Sequence, residues 1–249
     1  MRSVLAALFL ALAGCTISAG PPPQSTGSVL QPLPGPSPIP APAEVPNRIT
    51  SRNAAENFIV VVRRVEPVAE QLCRERTPRA NCDFLVAVDD RPGQPPNAFQ
   101  TIDRNGRPVI GFTLALLADA RNQDELAFVF GHEAAHHIAG HIPLAQRSAT
   151  EGALVGGLLA TLGGLDPQSV DAVSQLGATV GARRYSKEFE LEADALGTVI
   201  AARAGYDPLQ GAAFFNRIPD PGDRFLGSHP PNAERLRVVQ TTAARRVVY

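Results

Sequence analysis

Hydrophobic residues recur along this chain on two different periods. From Asn53 to Gln71 the apolar positions Ala55, Phe58, Ile59, Val62, Val65 and Val68 alternate with Arg63, Arg64, Glu66 and Glu70 at helical spacing. Pro67 lies inside that stretch and predicts a kink or a split. Phe84 to Val88 is an unbroken apolar run of strand length and reads as a short buried strand. Ala98–Ile102 and Arg107–Phe112 flank Asp103-Arg104-Asn105-Gly106, and Asn-Gly between extended segments predicts a hairpin. Thr113 can cap a short helix over 114–120.

A longer helix is predicted from Asn122, which makes a capping box with Glu125 three residues on. Gly140 and Pro143 are expected to end it. Gly152 to Leu165 is rich in Gly and Leu and too short to span a bilayer. It reads first as a buried helix or packed loop, because apolar stretches are mostly core. The other reading is a mobile flap over a cleft or a segment that touches a membrane. A second long helix runs from Ser186, its cap, to Ala204, and Gly205 stops it before Asp207-Pro208 opens another. The last helix begins near Pro230 with Ala233, Leu236 and Val239 on one face. The elements predict a mainly α, α+β domain with a small β-sheet or hairpin.

The N-terminal part follows another logic. Arg2 and the apolar run Val4–Ala13 form an export signal, and Leu12-Ala13-Gly14-Cys15 matches a lipobox. Residues 1–15 therefore read as a lipoprotein signal peptide, with Cys15 as the lipidated N-terminus. Thr16 is not the Asp that commonly retains such proteins at the inner membrane, so a periplasmic protein anchored to the bacterial outer membrane is expected. Residues 16–48 hold ten of the 23 prolines and almost no charge, which predicts an extended tether. Residues 49–249 suit one domain. A net charge of −1 implies no nucleic-acid partner. With Cys15 lipidated, Cys73 and Cys82 remain of the three cysteines, as a local disulfide or as two free thiols. No feature fixes an oligomeric state.

The candidate chemistry lies in the helices. His132-Glu133-Ala134-Ala135-His136 places two imidazoles at i and i+4, on one helix face, with Glu133 between them. That pattern on a helix is the zinc metalloprotease signature. A catalytic zinc takes three protein ligands and a water. On the second helix Glu190 and Asp194 share a face. Glu190 can bind the metal, and Asp194 can fix the tautomer of a ligand histidine. Glu188 and Glu192 point away from it. A solvated acidic face is the plain alternative for these residues. The apolar neighbours Phe189, Leu191, Ala193 and Ala195 weigh against it.

These residues sit in a wider series of motifs. Ser186-Lys187-Glu188-Phe189-Glu190-Leu191-Glu192-Ala193-Asp194-Ala195-Leu196-Gly197 follows the histidine motif, then Ala204-Gly205-Tyr206-Asp207-Pro208, then His229-Pro230. Asn97-Ala98-Phe99 precedes it. Over residues 50–240 the chain resembles metallopeptidase family 48, gluzincins that include HtpX, the Oma-type protease and the periplasmic BepA and LoiP. It looks more like the short lipoproteins of the LoiP type than like BepA. Lys187, where Arg is usual, and Ala134, where a larger apolar residue is common, depart from the pattern away from the chemistry.

The resemblance implies a zincin fold with one Zn2+ per chain on His132, His136 and Glu190. Glu133 would be the general base and Asp194 the support of a ligand histidine. His229 would take the open zinc position or face the oxyanion, with Tyr185 and Arg183 as other oxyanion donors. His137 and His141 are expected to be structural or surface residues. The function implied is a membrane-anchored zinc metalloendopeptidase that hydrolyses unfolded or misassembled envelope proteins, bound as an added strand near Ala98–Ile102. A non-proteolytic envelope chaperone or assembly lipoprotein on the same fold is the alternative. A hydrolase of cell-wall peptides finds no support beyond location.

Overall fold

The computed structural model describes residues 51–183, 186–220 and 230–246. The expected signal peptide, Cys15 and the expected tether lie outside the described residues. Helix α1 (Ser51–Arg76) is followed by strands β1 (Leu85–Asp89), β2 (Ala98–Ile102) and β3 (Pro108–Thr113). Then come α2 (Leu114–Asp119), α3 (Gln123–Ile138), α4 (His141–Leu162), α5 (Pro167–Arg183) and α6 (Ser186–Arg203). A short α7 (Pro208–Ala212), a 3-10 turn (Ala213–Asn216) and α8 (Asn232–Arg246) complete the order. The domain is mostly helical with one small sheet, as the periodicity predicted.

Helix α1 stays whole through Pro67. Its buried stripe is Ala54, Phe58, Val61, Val65, Ala69 and Leu72. That stripe is rotated from the predicted one, and Ile59 faces out. Pro67 lies on the exposed side, where the hydrogen bond it forfeits can be replaced by water. At the end of α1, Cys73 and Cys82 form a disulfide with Cα atoms 5.7 Å apart.

The sheet has the order β1-β3-β2. β2 and β3 pair antiparallel across the predicted Asp103–Gly106 turn, and β1 runs parallel to β3. β1 was expected to be buried, but it is an edge strand with Leu85 and Val88 exposed. The central strand β3 carries the buried Ile110 and Phe112 instead, and Phe84 is buried just before β1 begins.

Caps follow the sequence closely. Thr113 accepts from Leu116 N at the start of α2, and Asn122 accepts from Glu125 N at 2.8 Å. The Glu125 carboxylate turns to Arg121 N and to Arg217 rather than closing the box on Asn122 itself. Gly140, at φ 70°, ends α3. Pro143 does not stop that helix, because it lies in the first turn of α4, where a missing N–H costs nothing. Gly205, at φ 86°, turns the chain out of α6, and Asp207 caps α7.

Helices α3 and α6 cross at glycine. A Cβ on Gly131 would lie 2.8 Å from Gly197 O, and one on Gly197 would lie 2.8 Å from His132 N. This close approach brings Glu190 and Asp194 beside the histidines of α3. Helices α4 and α5 form a hairpin, sealed by Gly152 against Gly177 and Gly181 against Ser148. The stretch 152–165 is therefore helical as far as Leu162 and, Ala160 apart, not buried. Its small residues face α5, while Leu154, Leu158, Leu159 and Leu162 are exposed, Leu162 by 75%. Among the described residues no helix is long and apolar enough to cross a membrane.

Candidate metal centre

Helix geometry delivers the donors. His132 and His136, one turn apart on α3, point the same way and bring their Nε2 atoms to 3.1 Å. Glu190 on α6 supplies its two oxygens to the same point, Oε2 at 3.5 Å from His132 Nε2 and Oε1 at 3.4 Å from His136 Nε2. His132, His136 and Glu190 thus form a group that could hold a metal ion, with one donor atom from each within 4.8 Å of the others. Two donors about 2.1 Å from one tetrahedral ion lie roughly 3.4 Å apart. The spacings found match that triangle, and nitrogen and carboxylate oxygen are donors that zinc accepts.

Charge points the same way. Burial opposes charge on His132, yet hydrogen bonds to Asp194 and Glu190 outweigh it and carry its pKa up to about 10. Burial, and then the charge on His132, pushes His136 down to about 3. The neighbouring carboxylates thus favour charge on His132, and that charge disfavours a second on His136.

Asp194, four residues after Glu190, reaches the back of His132: Oδ1 lies 2.9 Å from Nδ1. Burial works against its ionisation, but His132 and Arg235 together hold its carboxyl below the usual range. Arg235 was not foreseen. Its Nε and Nη2 donate to the two Asp194 oxygens at 2.8 and 2.7 Å. Nη2 also lies 3.4 Å from Glu190 Oε2, and the guanidinium stacks on Phe215 at 4.0 Å. The expected apolar face of α8 is corrected accordingly: Ala233 is exposed, and Asn232, Arg235 and Val239 are buried. Arg235 lies four residues before Val239, so helical spacing from that valine would have marked it.

His141 was expected to be structural or on the surface. It is buried and touches a predicted ligand, with Nδ1 2.9 Å from His136 Nδ1. Glu192 points away from the centre, as read, and meets His141 Nε2 at 3.3 Å. His137 has a structural part: its Nε2 bonds to Asn81 O at 2.7 Å, and its ring meets Phe84 edge-on. Cys73 and Cys82 belong to α1 and the segment before β1. Arg183 is exposed and does not line the cleft. His229 and Tyr185 lie outside the described residues.

The donors open onto a cleft of about 580 Å3. Glu133, half-buried, lines it beside His132 and His136. Asn97, just before β2, and Ala98 to Gln100 of β2 form one wall, Phe214 and Phe215 another. The model of peptidase family M48 matches residues 61–243, which include every one of these groups. This chain belongs to peptidase family M48. Two curated relatives agree. The chain is 29% identical over 137 residues to the mitochondrial metalloendopeptidase OMA1 of Arabidopsis thaliana, covering 53% of this chain and 27% of that one. It is 33% identical over 124 residues to a putative beta-barrel assembly-enhancing protease of Vibrio cholerae, covering 47% of this chain and 25% of the other. The chain thus spans about a quarter of the length of these relatives.

Proposed function

We propose that this M48 domain is a zinc metalloendopeptidase that takes one zinc per chain on His132, His136 and Glu190. The observation that carries the reading is Glu133, which lines the cleft beside a donor triangle of tetrahedral size. When bound, the metal supplies a Lewis acid that polarises the scissile carbonyl and acidifies the attacking water. Glu133 takes the proton from that water and returns it to the leaving amine. Asp194 keeps the His132 proton on Nδ1, so that Nε2 presents its lone pair. His229 is assigned the oxyanion or the fourth metal position on the strength of the His229-Pro230 motif.

The substrate lies along β2 as an added strand. β2 pairs with β3 on one side, and its residues line the cleft. Backbone pairing suits unfolded chains of many sequences. The lipobox at Cys15 supports a lipid anchor and Thr16 supports the outer membrane as its place, and the Vibrio relative, by its name a beta-barrel assembly-enhancing protease, supports a role beside envelope protein assembly.

The test sets wild-type chain beside Glu133→Gln, measuring zinc content and cleavage of casein. Zinc in both is expected, with hydrolysis lower by about 10²–10⁴-fold in the variant. Zinc in both with cleavage in neither would favour the chaperone reading. No zinc in the wild type would end the assignment. Palmitate labelling of wild type but not of Cys15→Ala would support the anchor.

A further inference from the structure

Both proposed ligand histidines turn Nε2 to the shared point, so each neutral ring keeps its proton on Nδ1. For His132 that proton goes to Asp194. For His136 it meets another imidazole, the Nδ1 of His141 at 2.9 Å. Two nitrogens at that distance share one proton. With His136 donating, His141 Nδ1 accepts, and the His141 proton must sit on Nε2. That atom lies 3.3 Å from Glu192 Oε2. We propose that Glu192 and His141 form a positioning relay that fixes the tautomer of His136 for the metal. The inference rests on the zinc reading above.

The construction around His141 supports a role in orientation. Gly140, in the left-handed conformation, breaks α3 from α4 and turns His141 back towards His136. The His141 ring stacks on Phe189 of α6 at 4.3 Å and 14°, which fixes its plane. Metal-bound histidines are usually held by a carboxylate or a carbonyl, which can only accept. An imidazole accepts at Nδ1 in one tautomer and donates there in the other, so a second group must choose. Glu192, an acceptor on the far nitrogen, makes that choice. One helix, α6, thereby delivers the ligand Glu190 and both tautomer-setting acids. Asp194 acts directly from a buried place, and Glu192 acts through His141 from the surface, with 60% of its side chain exposed.

The test measures zinc affinity of the full chain by chelator competition, and the absorption spectrum of the cobalt-substituted protein. His141→Phe keeps a ring on Phe189 and removes the acceptor; zinc should bind about 10–100-fold more weakly, with a changed cobalt spectrum. Glu192→Leu should move both readouts in the same direction by about 3–10-fold, whereas Glu192→Gln, which still offers a carbonyl, should stay within about threefold of wild type. A merely structural role would lower the melting temperature of the metal-free protein and leave zinc affinity and cobalt spectrum unchanged, which would overturn the relay. If His141→Phe does not fold, the two Glu192 variants decide. A wild type that binds no zinc overturns the zinc reading and the relay together. A wild type that binds zinc beside unaffected variants overturns the relay alone.

Discussion

Helices α3 and α6 meet through Gly131 and Gly197, and helices α4 and α5 meet through Gly152, Gly156, Gly177 and Gly181. Both pairs use the missing Cβ to bring backbones together. Around the first pair, α1, the sheet and α8 cover the outer faces, and Phe130, Ala134, Ala135 and Ile200 are buried. Around the second, the large residues Leu154, Leu158, Leu159 and Leu176 stay exposed. A Gly- and Leu-rich segment thus specifies a partner for its small face only. Whether its large face becomes core depends on elements distant in sequence.

The sharpest way to break the contrast is Arg235→Met. It removes one of the two cations, Arg235 and His132, that Asp194 and Glu190 face, and removing one partner of a buried pair costs about 3–5 kcal/mol. Thermal unfolding of the metal-free protein should show it, together with weakened zinc binding. An unchanged melting temperature would mean that α8 merely caps the site. Next comes the pair Gly197→Val and Gly177→Val, which add the same bulk at two glycine seams. Overpacking costs about 1–3 kcal/mol. At Gly197 the strain falls on the His132 backbone, so zinc affinity should drop with stability. At Gly177 it should splay the hairpin and leave zinc affinity unaltered, because local opening need not reach the core. Equal zinc loss in both variants would show that the packing along the hairpin, and not only its base, supports the site. The smallest effect is expected from Leu158→Ser. An exposed side chain should change stability by less than about 0.5 kcal/mol. A loss of several times that would mean the leucine face is covered in the protein's working state.

Much of the centre was legible in the chain. His132 and His136 share a face by their i, i+4 spacing, and Glu190 was marked as their partner by the motif series that resembles metallopeptidase family 48. The Asn122 and Asp207 caps and the 103–106 turn were legible because their chemistry is local. The misses share a cause. Arg235 was hidden because α8 was read through Ala233, and a charged residue on a buried face makes sense only once Asp194 is across from it. His141 lies five residues beyond His136, off the ligand face of any continuous helix, and only the Gly140 turn returns it. The burial of β1 was overestimated because five apolar residues in a row do not say whether one edge or two are paired. Helix α5 was not foreseen, since its Gly and Ser residues weaken the helical pattern until α4 is beside it.

Ile142 and Ala145 at the base of α4, and Ala182 at the end of α5, all line the cleft. The hairpin is therefore a detour that leaves the centre and comes back to it. Its length is decoupled from the spacing of the donors. One added turn in each helix would carry the tip about 5.4 Å further out and leave His136 and Glu190 where they are. That makes the hairpin the part of this domain that evolution can lengthen, shorten or recoat at little cost to the chemistry.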